Sequence, residues 1–205
     1  MGKQIKSKKR VSKHGEVFTS EREVNAMLDL VQEELKQLKS TVLEPACGTG
    51  NFLVEILKRK MDTVQNIYHS QHDYELCSLL AFSTIYGLDI QKDNVLESRK
   101  RLLDWFTDDY ISKFQSAPSK QLQTALKFIL LKNIQCADSL SMKNEKKQPL
   151  MMAEWALCDD GRMIRKDVYY EDLVNGIEDH YIKAYSYRWM CHEHIELGGL
   201  VFKYV

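Results

Sequence analysis

Proline is nearly absent from this chain: it occurs at Pro45, Pro118 and Pro149 only, and no two stand together. Glycine is scarce as well, and no repeat or low-complexity block is present, which excludes collagen-like, repeat and linker-dominated classes. No stretch approaches the roughly eighteen apolar residues a membrane helix needs, and no signal-peptide core follows the basic start. Neither sign of charge dominates. Lys+Arg and Asp+Glu both number 29, so global charge supplies no pull toward nucleic acid or membrane. The five cysteines are scattered, odd in number and without a CxxC. That excludes a disulfide framework and a zinc ribbon, and gives the reducing cytoplasm as the expected compartment. Cys191-His192-Glu193-His194 crowds metal-ligand types together, but neighbours on a helix do not face one ion. No metal is expected.

What is present is an ordinary globular composition over 205 residues, enough for one domain with a substantial core plus an appendage. Residues 1–12 read as a basic disordered arm, residues 13–140 as a folded domain, and residues 141–205 as completion of a sheet or an appendage. Ser20-x-x-Glu23 is a capping box, and apolar residues at helical spacing behind it predict a helix over 21–39. Thr41–Glu44 reads as a strand, Asn51–Met61 as a helix and Glu75–Thr84 as another. Ile85–Ile90 is a second strand and Val95–Phe106 a helix with Val95, Leu96, Leu102, Leu103 and Phe106 inward. Leu122–Leu131 is helical, and Asn133–Ala137 is a third strand running into Asp138. Alternating strands and helices build a parallel sheet with crossover helices. Beyond a polar linker, Met151–Cys158 and residues 162–168 read as a hairpin about Asp159-Asp160-Gly161, and residues 171–195 as helical.

The stretch LEPACGTGNFL, residues 43–53, carries the most chemistry. A strand ends in an acid, a turn holds Gly48 and Gly50, and a helix begins at Asn51. Such a turn needs positive φ and room for a ligand, and it lies where open α/β sheets bind ligands. The helix N-terminus favours an anion there, yet the stretch has no GxxxxGK[ST] and no third glycine of GxGxxG. Glu44 before the turn repels a pyrophosphate. The ligand then carries a cationic group and a carboxylate but no phosphate, as an aminoacyl nucleoside does.

On these residues the chain resembles S-adenosylmethionine-dependent DNA methyltransferases of the adenine-N6 type, as found in restriction–modification systems. LEPACGTGNFL looks like their motif I. HGEVFTSEREVNAML resembles the segment that binds the methionine part, and YGLDIQKDNV the end of the second strand. The resemblance covers residues 13–103, with a weaker continuation to Asp138. It implies an α/β fold: a Rossmann-like, mainly parallel methyltransferase sheet with helices on both faces, incomplete here and followed by a small hairpin/helix appendage. It implies S-adenosyl-L-methionine as cofactor. The turn Glu44, Pro45, Ala46, Cys47, Gly48 and Gly50 would hold the methionine part, with Glu44 attracting its ammonium. Phe18 and Thr19 would close over its carboxylate. Asp89 would accept from the ribose hydroxyls, Ile90 would pack on the adenine, and Asp138 would accept from the adenine amino group. Each also has a plainer reading: Phe18 as a core residue or helix staple, Asp89 and Asp138 as caps that end strands.

One part of the pattern is missing. Amino-methyltransferases of this family carry Asn/Asp-Pro-Pro-Tyr/Phe after the fourth strand, where it localises the amine lone pair and stacks on a flipped base. With no adjacent prolines, this chain has no such motif. The corresponding place reads Cys158-Asp159-Asp160-Gly161, so Asp159 is the one candidate acceptor. Three functions follow: the first is an adenine-N6 methyltransferase acting on DNA with a partner methyltransferase or specificity subunit, and the second a non-catalytic S-adenosylmethionine-binding subunit or regulator. A methyltransferase on a non-DNA substrate is the third.

Overall fold

The computed structural model describes residues 7–14, 17, 19–67, 70–158, 162–177, 181–188 and 193–197. The mixed α/β order expected from the sequence is present. Strands β1 (Val42–Glu44), β2 (Ile85–Asp89) and β3 (Ile134–Asp138) are parallel neighbours in the order β1-β2-β3. A two-residue strand β4 (Lys143–Asn144) adds antiparallel to β3. The polar stretch after Asp138 therefore still belongs to this sheet.

The helices between the strands form because apolar residues recur at their period. In α4 (Asn51–Ile67) Leu53, Ile56, Leu57, Met61 and Val64 are buried together. The spacing is three to four residues, one face of a helix. In α6 (Lys92–Phe114) Val95, Leu102, Phe106 and Tyr110 join the same core. Leu96 does not: one residue past Val95 it lies about 100° round the helix, and it is 55% exposed. α5 (Gln71–Ser83) and α7 (Lys120–Asn133) run almost directly into β2 and β3. Asn133, at that junction, is fully buried. Its amide donates to the carbonyls of Phe82 (3.3 Å), Ser83 (3.0 Å) and Ile85 (3.1 Å), and its Oδ1 accepts from the Trp155 indole at 2.8 Å.

The capping box at Ser20 forms, but the helix behind it is shorter than the pattern predicts. It is α2 (Glu21–Asp29), a break at Leu30 and Val31, then α3 (Gln32–Leu35). Val24, Leu28 and Leu35 are buried whereas Met27 and Val31 face outward. Lys60 of α4 closes the turn that follows. Its ammonium, fully buried, donates to the carbonyls of Gln37 (3.1 Å), Leu38 (3.3 Å) and Ser40 (2.7 Å). Burial pulls its pKa down to about 8. Between that value and about 10.5 the unfolded chain holds a proton that the native chain has released, so rising pH favours the native state. Tyrosines and cysteines titrate in the opposite sense in the same range, so the comparison is with Lys60→Met. The stability advantage of the parent over that variant should grow between pH 8 and pH 10, measured by urea unfolding. A constant difference would show that the ammonium titrates normally.

The segment after β4 departs most from expectation. β5 (Met151–Leu157) and β6 (Met163–Tyr169) make the expected hairpin. Helix α8, however, spans only Tyr170–Val174, and where the helix expected over 171–195 would continue, strands β7 (Tyr181–Arg188) and β8 (Glu193–Leu197) form instead. The reason is period. Tyr181, Lys183, Tyr185 and Tyr187 alternate with Ile182, Ala184 and Ser186, and aromatic and branched residues favour a pleated surface. The four strands are an antiparallel sheet in sequence order. Met152, Val168 and Tyr170 pack with Tyr86, Leu88 and Ala137 in a second core, and the Tyr86 hydroxyl donates to the Ala153 carbonyl at 2.6 Å.

The start of the chain is not wholly an arm. Residues Lys8–His14 form helix α1, and Arg10 pairs with Asp93 at 2.6 Å. No helix among the described residues is long and apolar enough to cross a membrane.

Candidate cofactor site

The candidate cleft is the ground at the carboxyl ends of β1 and β2, where the turn after β1 meets Asp89 of β2. β1 ends at Glu44, and its Oε1 accepts from the Ala46 amide at 3.2 Å, which starts the turn. Pro45 and Ala46 are exposed; Cys47 is buried and its amide donates to the Leu88 carbonyl at 2.8 Å, tying the turn to β2. Gly48 (φ 51°) and Gly50 (φ 84°) take the left-handed conformations the reading required. At Gly50 a side chain is also excluded by packing, since a Cβ there would lie 2.5 Å from Ser98 Oγ. Helix α4 starts directly after Gly50, so the partial positive charge of its first turn lies at this place. The Cys47 thiol is pushed up to about 12, by burial first and then by the Asp89 and Glu44 carboxylates. It stays protonated and is no nucleophile.

Asp89 stands opposite. Its Oδ2 accepts from the Gly48 amide at 2.9 Å, and its Oδ1 from the Gln91 amide at 2.6 Å and the Asn94 side-chain amide at 3.3 Å. Three of its roughly four lone-pair positions are thus used within the chain. Ile90 beside it is 53% exposed, an apolar side chain standing in the open at the strand end. Thr19 is brought to the same place: its carbonyl accepts from the Asn51 side-chain amide at 2.9 Å. Asp138 is exposed and occupied by its own turn, accepting from the Leu140 amide at 3.0 Å and the Ser141 hydroxyl at 2.8 Å. Those bonds hold its carboxyl below the usual range. Phe18 and Asp159 lie outside the described residues, as do Cys191 and His192. No cluster of metal-ligand side chains occurs among the described residues.

Sequence reading missed the residues that brace this turn from α6. Arg101 donates to the Thr49 carbonyl and to Asn51 Oδ1, both at 2.7 Å. Asn94 reaches Asp89, and Ser98 lies against Gly50. The signal was there: Asn94, Ser98 and Arg101 are polar residues at i, i+4 and i+7, one stripe of a helix whose neighbouring stripe is apolar.

A parallel sheet, a glycine turn opening a helix, and an acid at the next strand end define a fold of the Rossmann-like class. Within that class the sequence matches the family described as N-6 DNA methylase over residues 5–115, more than half of the chain, and the chain belongs to that family. No curated protein and no solved structure matches it.

Proposed function

We propose that the chain binds S-adenosyl-L-methionine in this cleft and serves adenine-N6 methylation of DNA within a restriction–modification system, in the cytoplasm. The cofactor supplies an electrophilic methyl group on a sulfonium. The residues present fit it. Gly48 and Gly50 keep the turn open to close approach, and Glu44 lies where a cationic ammonium gains most. Thr19 sits at the entrance, and Ile90 offers an apolar surface to an adenine ring. Asp89 accepts a ribose hydroxyl on Oδ2, beside the Gly48 amide, while the Gln91 and Asn94 amides hold Oδ1. Asp138 reaches the adenine amine only by giving up a bond of its own turn, so it is the weakest member of the set.

The single observation that carries this reading is the glycine turn locked to Asp89 through the Gly48 amide. Calorimetry with S-adenosylmethionine tests it. Saturable binding is expected, and Asp89→Ala should weaken it by about 1.5–3 kcal/mol, the range for hydrogen bonds to a charged group. Unchanged affinity would remove Asp89 from the ribose role. The absence of adjacent prolines favours a second reading alongside the first: this chain alone transfers no methyl. It acts as the cofactor-binding part of a split methyltransferase, or as a regulator, and a partner supplies the amine-activating groups and reads the DNA. Labelled methyl on duplex DNA should appear only when such a partner is added.

A further inference from the structure

We infer that Arg10 of the N-terminal helix is a positioning residue for the cofactor acid, acting through Asn94. This rests on the cofactor reading above. The geometry is a relay of four groups. One Arg10 nitrogen pairs with Asp93 at 2.6 Å, and the other donates to Asn94 Oδ1 at 3.3 Å. Asn94 Nδ2 donates to Asp89 Oδ1 at 3.3 Å, and Asp89 Oδ2 accepts from the Gly48 amide at 2.9 Å. Asn94 is 1% exposed, so solvent does little to orient its amide.

An asparagine amide has two orientations, and its neighbours select one. A guanidinium only donates, so Arg10 forces the Asn94 oxygen toward itself and the amino group toward Asp89. With the amide reversed, its oxygen would face a carboxylate, and both bonds would be lost. Arg10 therefore adds, beside the Gln91 amide, to the hold on a carboxylate it never touches, and through it on the Gly48 peptide. Preorganisation of this kind strengthens binding by removing an ordering penalty rather than by adding a contact. It also gives a basic helix with exposed Lys8 and Lys9 a physical connection, through Asn94 some eighty residues away in sequence, to the cofactor turn.

The test uses the full chain and two readouts. The first needs no cofactor. In the ligand-free protein, Arg10→Ala should raise the exchange rate of the Gly48 amide about tenfold by NMR, since its acceptor is no longer held. The second is calorimetry with S-adenosylmethionine. Arg10→Ala should weaken binding about three- to tenfold, Arg10→Lys should restore part of it, and Arg10→Ala added to Asn94→Ala should change nothing further. Asp93→Ala is the control, because it loosens the docking of α1 without touching Asn94. It should leave both readouts near the parent value. An Asp93→Ala effect equal to that of Arg10→Ala would mean that docking alone matters, and would overturn the relay. So would additive Arg10 and Asn94 effects, an unchanged Gly48 amide, or tighter binding, which would make Asn94 a competitor of the ribose. A parent chain that binds no cofactor, with Gly48 exchange still dependent on Arg10, would instead overturn the cofactor reading and leave the relay standing.

Discussion

Gly50→Val should leave no measurable S-adenosylmethionine binding and cost the fold about 2–4 kcal/mol. Two effects act together. The φ of 84° is a conformation that a β-branched residue avoids, and the new Cβ would fall 2.5 Å from Ser98 Oγ and 3.1 Å from its Cβ. The hydroxyl can rotate away, but the Ser98 backbone lies only 3.3 Å from the same point. Helix α6 must move from the start of α4, and overpacking of this kind is costly in a dense interior. The movement drags Asn94 and Arg101 with it, so both braces of the turn are lost. Gly50→Ala combined with Ser98→Gly removes the clash and keeps the backbone strain, and it should recover part of the stability. Affinity in the Val variant equal to that of the parent, by calorimetry, would take the turn out of the site.

The second large effect is expected far from the cleft. Asn133→Ala removes three donations to the ends of α5 and β2 and the acceptor of the Trp155 indole. Buried groups left without partners cost about 1–3 kcal/mol each, and partial repair by shifts or water is common. A total of about 3–5 kcal/mol is expected, a fall of roughly 10 °C in Tm for a chain of this size. The loss should appear as a lower urea midpoint. A change below about 1 kcal/mol would show that Asn133 is not what joins the two sheets.

Much of the fold was legible because it is written in periods. The three parallel strands, α4, α6 and α7 are apolar at intervals that match their geometry, and their observed bounds differ from the expected ones mainly at the ends. The helix expected over residues 171–195 failed for the same reason, since an alternating Tyr-x-Lys-x-Tyr run was read at the wrong period. The break at Leu30 had no sequence signal, because Met27 and Val31 continue the apolar pattern while facing outward. In the site, the glycine turn and Asp89 were legible from local chemistry. Asn94, Ser98 and Arg101 show in the sequence only as a polar stripe, because their targets, Asp89, Gly50 and the Thr49–Asn51 segment, are set by tertiary packing. Arg10 was hidden more deeply. It lies in a run of lysines that reads as a solvated tail, and its partners are encoded eighty residues later.

The sheet order has a consequence for how the cleft comes into being. Its two walls follow β1 and β2, and joining Val42 to Ile85 closes a loop of more than forty residues, whereas the β5–β6 hairpin turns between Leu157 and Met163. Loop-closure entropy grows as the logarithm of length, so the parallel pairing starts at a disadvantage of roughly 2 kcal/mol. Local helices and the hairpin are the kinetically easy parts of this chain, and long-range parallel pairing is slow. The place where Gly48 meets Asp89 therefore does not exist in a half-folded molecule. A nascent chain assembles this place only when the long-range pairing of β1 with β2 has closed.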